Sequence, residues 1–239
     1  MLDILYRDEQ LIAVNKPHGL LVHRSSIAAD VEEFALQILR DQINCHVYPA
    51  HRLDRKTGGV LLFALDKSTE ILMQQQFAAN AVHKSYWAIV RGYTDDSGEI
   101  DYPLRKENGT LQDAFTAYHT IARAEIPVAL GKHNTSRYSL IEAKPTTGRM
   151  HQLRKHFSHI FHPIIGDRTH GCNKQNKLFT ETWEMDTMLL HALSLSFTHP
   201  ASNTSVTINA PLQPEFERMI NLMGWQDEVN DYASPKTSG

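Results

Sequence analysis

The 239-residue sequence has few cysteines, no long apolar segment and no excess of positive charge. Its two cysteines, Cys45 and Cys172, form no CxxC pair and are too few for a disulfide framework, which favours a reducing compartment. The longest apolar run, residues 60–65, is far shorter than the roughly 20 residues that span a bilayer. The N-terminus mixes acidic and basic residues and lacks the pattern of a secretory signal. We therefore expect a cytoplasmic protein that does not enter a membrane.

The charge distribution is uneven along the chain. Net charge is −3 at pH 7 with neutral histidines, which by itself argues against a strongly basic nucleic-acid binder. Residues 144–170, however, contain five lysines and arginines and five histidines against one acid, Asp167. Residues 215–231 show the opposite balance. Because a field concentrated on one face can attract a polyanion, the net charge does not exclude an RNA partner.

The hydrophobic pattern predicts many strands and a few helices. Alternating or continuous apolar runs predict strands at residues 4–6, 11–14, 60–65, 85–90, 115–121, 136–142, 189–197 and 205–209. Helices are predicted after an N-cap at Asp30, at residues 68–79 and 149–160, and from Pro214 to near Gly224. This order favours an α+β fold with a mostly antiparallel mixed sheet and flanking helices. We expect one domain over residues 1–225, a surface insertion at 171–187 and a flexible polar tail at 226–239.

The segment HRLDRKTGG, residues 51–59, places one carboxylate, Asp54, among three cations. Nearby positive charge lowers the pKa of an aspartate and keeps it ionised. An ionised aspartate in a cleft can act as a covalent nucleophile. This segment alone also fits an aspartate in a surface turn or ion pair.

Two further segments contain candidate binding residues. In KSYWAIV, residues 84–90, Tyr86 and Trp87 lie on opposite faces of a predicted strand, so that one ring can stack on a base while the other packs in the core. In GRMHQLRKH, residues 148–156, cations occupy the first turns of a predicted helix, where the macrodipole opposes them. Positive charge there suits a phosphate or a carboxylate. An ordinary strand and a solvated basic face are the alternatives.

Together these segments resemble the RluA-type pseudouridine synthases. HRLDRKTGG resembles the family signature HRLDxxTSG, and GRMHQLRKH matches GRxHQLRxH. KSYWAIVRG resembles the family strand KxYxAxVxG, NKPHGLLVH resembles the opening NKPxGxxVH, and HPIIGD and LLHALSLSFTHP fit the closing blocks. The resemblance runs from about residue 4 to residue 224. Gly58 departs from it, because the family usually has Ser at that position.

The resemblance implies a pseudouridine synthase catalytic domain that isomerises uridine in RNA without a cofactor or metal. It implies that Asp54 attacks the sugar C1′ or the base C6 and that Arg154 pairs with Asp54. Tyr86 would pack on the flipped base and help to remove the C5 proton. Arg52 would fill the gap that the flipped uridine leaves, offsetting part of the cost of extrusion. Substrate contacts are also expected from other residues of these motifs, His51, Arg149 and Leu153.

The sequence further resembles the branch of the family that modifies uridine 65 in tRNA, and no obligate protein partner is expected. An rRNA-directed synthase of the same family and a non-catalytic RNA-binding module are the alternatives. A metal-dependent hydrolase is a third, since His156, His159 and His162 recur every three residues. The sequence has no HExxH motif, and Pro163 predicts that the helix ends before His162.

Overall fold

The computed structural model describes residues 1–23 and 33–233. The chain divides into two compact units. The prediction of one catalytic domain over residues 1–225 stays a prediction. Unit 1 is formed by Met1–Tyr86 and Leu190–Gln213, and unit 2 by Trp87–Leu189 and Pro214–Gly239. No helix in the described ranges is both long enough and apolar enough to cross a membrane.

Unit 1 contains a mixed sheet with one helix on each face. Its strands are β1 (Asp3–Arg7), β2 (Leu11–Lys16), β3 (Tyr48–Pro49), β4 (Gly58–Ala64), the start of β5 (His83–Arg91), β11 (Leu190–Thr198) and β12 (Ser205–Asn209). Its helices are α1 (Ala35–Ile43) and α2 (Lys67–Ala78). β1, β2 and β4 are antiparallel neighbours, β3 pairs antiparallel with β4, β11 runs parallel to β4, and β12 pairs antiparallel with β11.

Alternation along β2 explains why both faces of this sheet are covered. Leu11 belongs to a core cluster that includes Met73 of α2, whereas Ile12 belongs to a second cluster that includes Ala35 and Leu39 of α1. Successive residues of a strand point to opposite faces, so a strand buried on both sides reads as a continuous apolar run. The structure thus explains the unbroken apolar stretches that the sequence shows at β2 and β4.

The two helices of unit 1 begin differently. Asp66 caps α2, because its carboxylate accepts hydrogen bonds from the backbone N–H of Thr69 (2.8 Å) and from the Thr69 hydroxyl (2.6 Å). α1 begins at Ala35 after an N-cap at Phe34, later than the sequence predicted. The predicted cap Asp30 lies outside the described residues.

Unit 2 contains a long antiparallel hairpin. Its strands are the end of β5, β6 (Ser97–Asp101), β7 (Leu104–Arg105), β8 (Leu111–Gln112), β9 (Phe115–Ile126) and β10 (Ser136–Pro145). β9 pairs with both β10 and β6, and β7 pairs with β8. Its helices are α3 (Gln152–His159), α4 (Asn173–Trp183), α5 (Pro214–Met223) and α6 (Gln226–Ala233). The predicted α+β class with a mostly antiparallel mixed sheet is confirmed.

Two segments of unit 2 differ from the prediction. The expected surface insertion at 171–187 contains α4, which buries Phe179 and Gln175. The expected flexible tail begins with α6, whose Tyr232 hydroxyl donates to the Glu142 carboxylate (2.7 Å) while its ring stacks on His119. Both segments are rich in polar residues, and a few contacts that the sequence does not reveal hold them against the hairpin.

Gly59 provides a test of the parallel contact between β4 and β11. Its φ is +108°, and a Cβ there would lie 2.1 Å from the Ala192 carbonyl oxygen. We expect Gly59→Ala to lower the free energy of unfolding by about 4 kcal/mol or more, measured by urea denaturation. Gly19→Ala is the control, because φ is +87° but nothing lies within 4 Å, so backbone strain alone should cost about 1–2 kcal/mol. Equal losses for the two variants would contradict the close packing at Gly59.

Candidate active site

The loop between β3 and β4 holds Asp54 in a turn. The Asp54 carbonyl accepts the backbone N–H of Thr57 (3.0 Å). Leu53, the residue before Asp54, is buried in the core cluster on the α1 side of the sheet. Arg52, the residue before Leu53, is exposed. Burial of a leucine side chain stabilises by roughly 1.5–3 kcal/mol. Leu53 therefore anchors the loop to the core, between the exposed Arg52 and the half-buried Asp54.

Lys16, at the end of β2, binds the Asp54 loop to the turn that follows it. Its side chain is fully buried, and its Nζ donates to the carbonyls of Pro17 (3.0 Å), Leu20 (2.8 Å) and Arg55 (3.2 Å). Burial lowers the pKa of Lys16 to about 7, and the negative charge of Asp54 opposes this shift. Lys16 thus places a cationic group near Asp54.

A reciprocal pair of hydrogen bonds joins the same two turns. The Gly19 N–H donates to the Arg55 carbonyl (2.9 Å), and the Arg55 Nε donates to the Gly19 carbonyl (2.9 Å). Gly19 adopts a positive φ that other residues rarely tolerate. The segments NKPHG and HRLDR, separate in sequence, therefore form one surface beside Asp54.

His51 supports the loop from inside. Its Nε2 accepts the backbone N–H of Leu62 (3.1 Å), and its ring stacks on Phe77 at 5.0 Å. Burial and then the Lys84 cation lower the pKa of His51 to about 4, so the ring is neutral at pH 7. The contacts of His51 within the protein fix the loop to β4. Its contact with substrate stays a prediction.

Tyr86, on β5, packs against the cluster that contains Leu53. Burial raises the pKa of Tyr86, and the negative charge of Asp54 raises it further. The phenol is therefore protonated at neutral pH. The charge of Asp54 raises the pKa of both Tyr86 and Lys16. A lysine side chain and a neutral aromatic ring therefore lie near this carboxylate.

In unit 2, the side chain of Gln152 fixes the start of α3. Its Oε1 accepts the backbone N–H of Arg149 (3.0 Å) and the Thr147 hydroxyl (2.7 Å). Its Nε2 donates to the Phe115 carbonyl (2.9 Å) and to the Thr116 hydroxyl (3.1 Å). All these bonds satisfy groups at a helix N-terminus or in the adjacent strand, so the GRMHQLR segment has a defined shape.

Arg154 on α3 forms a buried ion pair with Asp167. Its Nε and Nη2 donate to the two carboxylate oxygens of Asp167, each at 2.8 Å. Burial disfavours the ionised carboxylate, but Arg154 and the backbone N–H groups of His170 and Thr169 outweigh it and hold the pKa of Asp167 below its usual value. The expectation that Arg154 also pairs with Asp54 concerns residues of different units and stays a prediction.

Arg149 and Leu153, the other residues predicted in this segment, have distinct surroundings. The Arg149 Nε donates to the Asp113 carbonyl (2.9 Å), and Leu153 is buried, with 6% exposure. His151, between them, adopts a left-handed conformation, and its Nδ1 lies 2.9 Å from Nε2 of His170. The predicted contacts of Arg149 and Leu153 with RNA stay predictions.

The three histidines considered for a metal site have separate protein partners. His156 bonds the Thr116 hydroxyl (2.9 Å) and the Tyr102 carbonyl (3.0 Å), while His159 stacks on the Tyr102 ring at 3.6 Å. His162 Nδ1 lies 2.8 Å from the Arg91 carbonyl. Within residues 1–23 and 33–233, no group of three or more His, Cys, Asp or Glu residues could hold a metal ion.

Comparison with protein families agrees with these motifs. Residues 10–159, more than half of the chain, match the family model described as RNA pseudouridylate synthase. The chain belongs to the RNA pseudouridylate synthase family. The matched residues include Asp54, Tyr86 and Arg154, so the candidate site lies within the family segment.

Curated relatives extend the similarity over nearly the whole chain. The tRNA pseudouridine synthase C of Haemophilus ducreyi is 49% identical over 234 residues, which cover 94% of this chain and 96% of that protein. The proteins of the same name from Pasteurella multocida and Vibrio cholerae are 46% identical over 235 residues and 44% identical over 240 residues. These alignments cover 94% and 96% of this chain, and 97% and 98% of the relatives.

Two solved structures share the fold of this pseudouridylate synthase. Human RNA Pseudouridylate Synthase Domain Containing 4 has a TM-score of 0.70 at 25% identity, covering 93% of each chain. Human RNA Pseudouridylate Synthase Domain Containing 1 has a TM-score of 0.71 at 21% identity, covering 94% of this chain and 95% of that one. The predicted fold is confirmed by both.

Sequence reasoning missed three residues that organise this family's motifs here: Lys16, Gln152 and Asp167. Each lies inside a segment that the sequence analysis quoted, NKPHG, GRMHQLR or HPIIGD. Each is buried and polar, with exposures of 0%, 5% and 1%. Buried polar groups need bonding partners, but only Asp167, which follows the apolar residues Ile164 and Ile165, could have been recognised from its sequence neighbours.

The ion pair of Arg154 and Asp167 can be tested by neutralising its acid. Removing one partner of a buried pair leaves an uncompensated charge, so Asp167→Asn should lower the free energy of unfolding by about 3–5 kcal/mol at pH 7. Asp96→Asn is the control, because Asp96 pairs with Arg123 while 89% exposed and should cost about 0–1 kcal/mol in urea denaturation.

The pH dependence supplies a second readout for this pair. The folded pKa of Asp167 is depressed, so its stabilisation is present above the unfolded value of about 3.9 and is lost as pH falls through the folded pKa. The difference between wild type and Asp167→Asn should therefore shrink below about pH 4. A difference that does not change with pH would show that Asp167 acts only by its shape.

Proposed function

We propose that this protein isomerises uridine to pseudouridine in tRNA, with Asp54 as the catalytic carboxylate. The observation that carries the proposal is the near full-length similarity to proteins named tRNA pseudouridine synthase C, within which the HRLD segment retains its aspartate. The surroundings of Asp54 support it, because Lys16 and Tyr86 lie within reach of its charge. A cation stabilises the ionised form that a nucleophile requires.

The reaction then proceeds by rearrangement within one nucleoside. The Asp54 oxygen bonds to C1′ of the sugar or to C6 of the uracil, and the bond between C1′ and N1 breaks. The uracil turns, its C5 bonds to C1′, the C5 proton leaves, N1 gains a proton and the carboxylate is released. Substrate and product have the same atoms and oxidation state, so no cofactor or metal is required.

The protonation of the Tyr86 phenol limits the step at which Tyr86 can help in this scheme. While Asp54 is ionised, its charge and the burial of Tyr86 both keep the phenol protonated, so Tyr86 stacks on the base but does not accept a proton. C5 can release its proton only after it has bonded to C1′. The help from Tyr86 that the family resemblance implies therefore belongs to this last step.

Two arginines complete the proposed site. Arg52 is exposed beside Leu53 and can enter the space that an extruded uridine leaves, which offsets part of the few kcal/mol that flipping costs. The Arg154 guanidinium is held by Asp167, and its pairing with the Asp54 carboxylate is proposed from the family resemblance alone. We further propose a cytoplasmic location, where the substrate tRNA is found.

Replacing Asp54 separates catalysis from binding. Asp54→Asn keeps the size of the side chain but removes the nucleophile, so it should bind tRNA within about threefold of wild type and form no measurable pseudouridine, a loss of at least about 10⁴-fold. Binding is measured by filter retention and product by mass spectrometry. Asp41→Asn, an exposed substitution in unit 1, should retain full activity. Turnover by Asp54→Asn at the wild-type rate would support the non-catalytic role for this residue.

The target RNA is tested by mapping pseudouridine in cells with and without this protein. We expect one position, uridine 65 of tRNA, to lose its modification and to regain it when wild-type protein, but not Asp54→Asn, is restored. Loss confined to rRNA would instead support the rRNA-directed alternative. Incubation of purified protein with unmodified tRNA and rRNA transcripts provides the matching test in solution.

A further inference from the structure

The turn that carries Asp167 is closely packed on several sides. Gly166 has a φ of +80°, and a Cβ there would lie 1.9 Å from the Thr187 carbonyl oxygen. A Cβ on Gly171 would lie 2.1 Å from the Asp167 carbonyl oxygen. Since neither glycine can be replaced without moving backbone, the turn has little freedom once its neighbours are in place.

The side chain of Asn176, on α4, binds this turn at two points. Its Oδ1 accepts the backbone N–H of Gly166 (2.9 Å), and its Nδ2 donates to the carbonyl of Asp167 (2.7 Å). One amide group therefore holds the backbone on both sides of the peptide bond that joins Gly166 to Asp167. The Asp167 carboxylate is held at the same time by Arg154 and by two N–H groups of its own turn.

α4 is anchored to the hairpin through a different residue. The Tyr138 hydroxyl donates to Gln175 Oε1 (2.7 Å), and the fully buried Phe179 meets the Tyr138 ring edge-on at 5.2 Å. Gln175 and Phe179 thus contact β10, whereas Asn176 contacts the turn that carries Asp167. The helix can therefore stay docked when Asn176 is changed.

We infer that Asn176 positions the Arg154 guanidinium by clamping the Asp167 turn, so that the segment at 171–187 serves catalysis. The inference rests on the proposed function, in which Arg154 pairs with the catalytic carboxylate. A guanidinium held at both Nε and Nη2 follows any displacement of its acceptor. A misplacement of about 1 Å can cost about 100-fold in rate, so loosening this turn should slow the reaction more than it weakens RNA binding.

The kinetic test compares neighbouring residues of α4. Asn176→Ala should lower kcat by about 10-fold to 100-fold while KM for tRNA stays within about twofold. Gln175→Ala is the matched control, since it also removes a buried hydrogen bond of α4 while the fully buried Phe179 still packs on Tyr138 and keeps the helix docked. It should shift the urea midpoint by a similar amount, yet leave kcat within about twofold. An unchanged kcat for Asn176→Ala, or equal losses for both variants, overturns the inference.

Asn176→Asp tests the hydrogen bond that Asn176 Nδ2 donates to the Asp167 carbonyl. It also provides a second variant if Asn176→Ala does not fold. The substituted carboxylate can still accept the Gly166 N–H but repels the Asp167 carbonyl oxygen. Protonation restores a donor, so kcat relative to wild type should recover as pH falls toward the pKa of the new carboxyl group. A ratio that stays constant from pH 8 down to about pH 4, the ordinary pKa of an aspartate, counts against the clamp.

An NMR signal provides a readout that does not depend on activity. The Nε–H of Arg154, identified by its loss in Arg154→Lys, should exchange with solvent at least about 10-fold faster in Asn176→Ala than in wild type or Gln175→Ala. If wild type forms pseudouridine and exchange is unchanged in Asn176→Ala, the inference fails and the proposed function stands. If wild type forms no pseudouridine in any RNA, the proposed function fails while the exchange rates still decide whether Asn176 holds Arg154.

Discussion

The buried ammonium group of Lys16 is the contact on which the geometry around Asp54 depends. Removing an ammonium ion from water costs several kcal/mol, and three carbonyl oxygens with the charge of Asp54 offset this cost. Two of the carbonyls belong to the turn after β2 and the third to Arg55, directly after Asp54. The buried side chain that lies near Asp54 is thus the one that fixes its loop.

The burial of Lys16 makes its contribution to the free energy of unfolding depend on pH. With a pKa of about 7 in the folded protein against about 10.4 in the unfolded chain, Lys16 binds fewer protons when folded between these values. Its contribution to stability therefore rises with pH across that window. The neutral amine, however, has two hydrogens for three carbonyls and no charge for Asp54. Deprotonation of Lys16 therefore favours the folded state but removes one of the three N–H donors that face these carbonyls.

The sequence predicted well what depends on local pattern. The hairpin of β1 and β2, the capped helix α2 and the last long helix α5 all follow from apolar periodicity and turn residues. The motifs also predicted roles for Asp54 and Tyr86, which stay predictions, and the charge of Asp54 acts on the Tyr86 phenol within unit 1. These results needed no knowledge of long-range contacts.

The remaining differences come from contacts between distant residues. α4 and α6 are polar segments, and they are held by the pair Tyr138–Gln175 and by Tyr232 on Glu142, which no periodicity reveals. The acid that binds Arg154 within unit 2 is Asp167, 13 residues away. A motif shows which residue types occur together, but it does not show which acidic residue forms an ion pair with a given arginine.

Gly58 illustrates how such a contact can replace a motif residue. The family signature has Ser at this position, but here a Cβ would lie 2.9 Å from Cγ of Gln213, which therefore occupies that space. Gln213 donates to the Asn15 side chain (3.0 Å), and Asn15 in turn donates to the Pro211 carbonyl (3.1 Å). The end of β2, adjacent to Lys16, is thus braced by the chain after β12. A side chain 155 positions later in the sequence thus fills the space that a serine side chain would need, and its amide binds the strand that precedes Lys16.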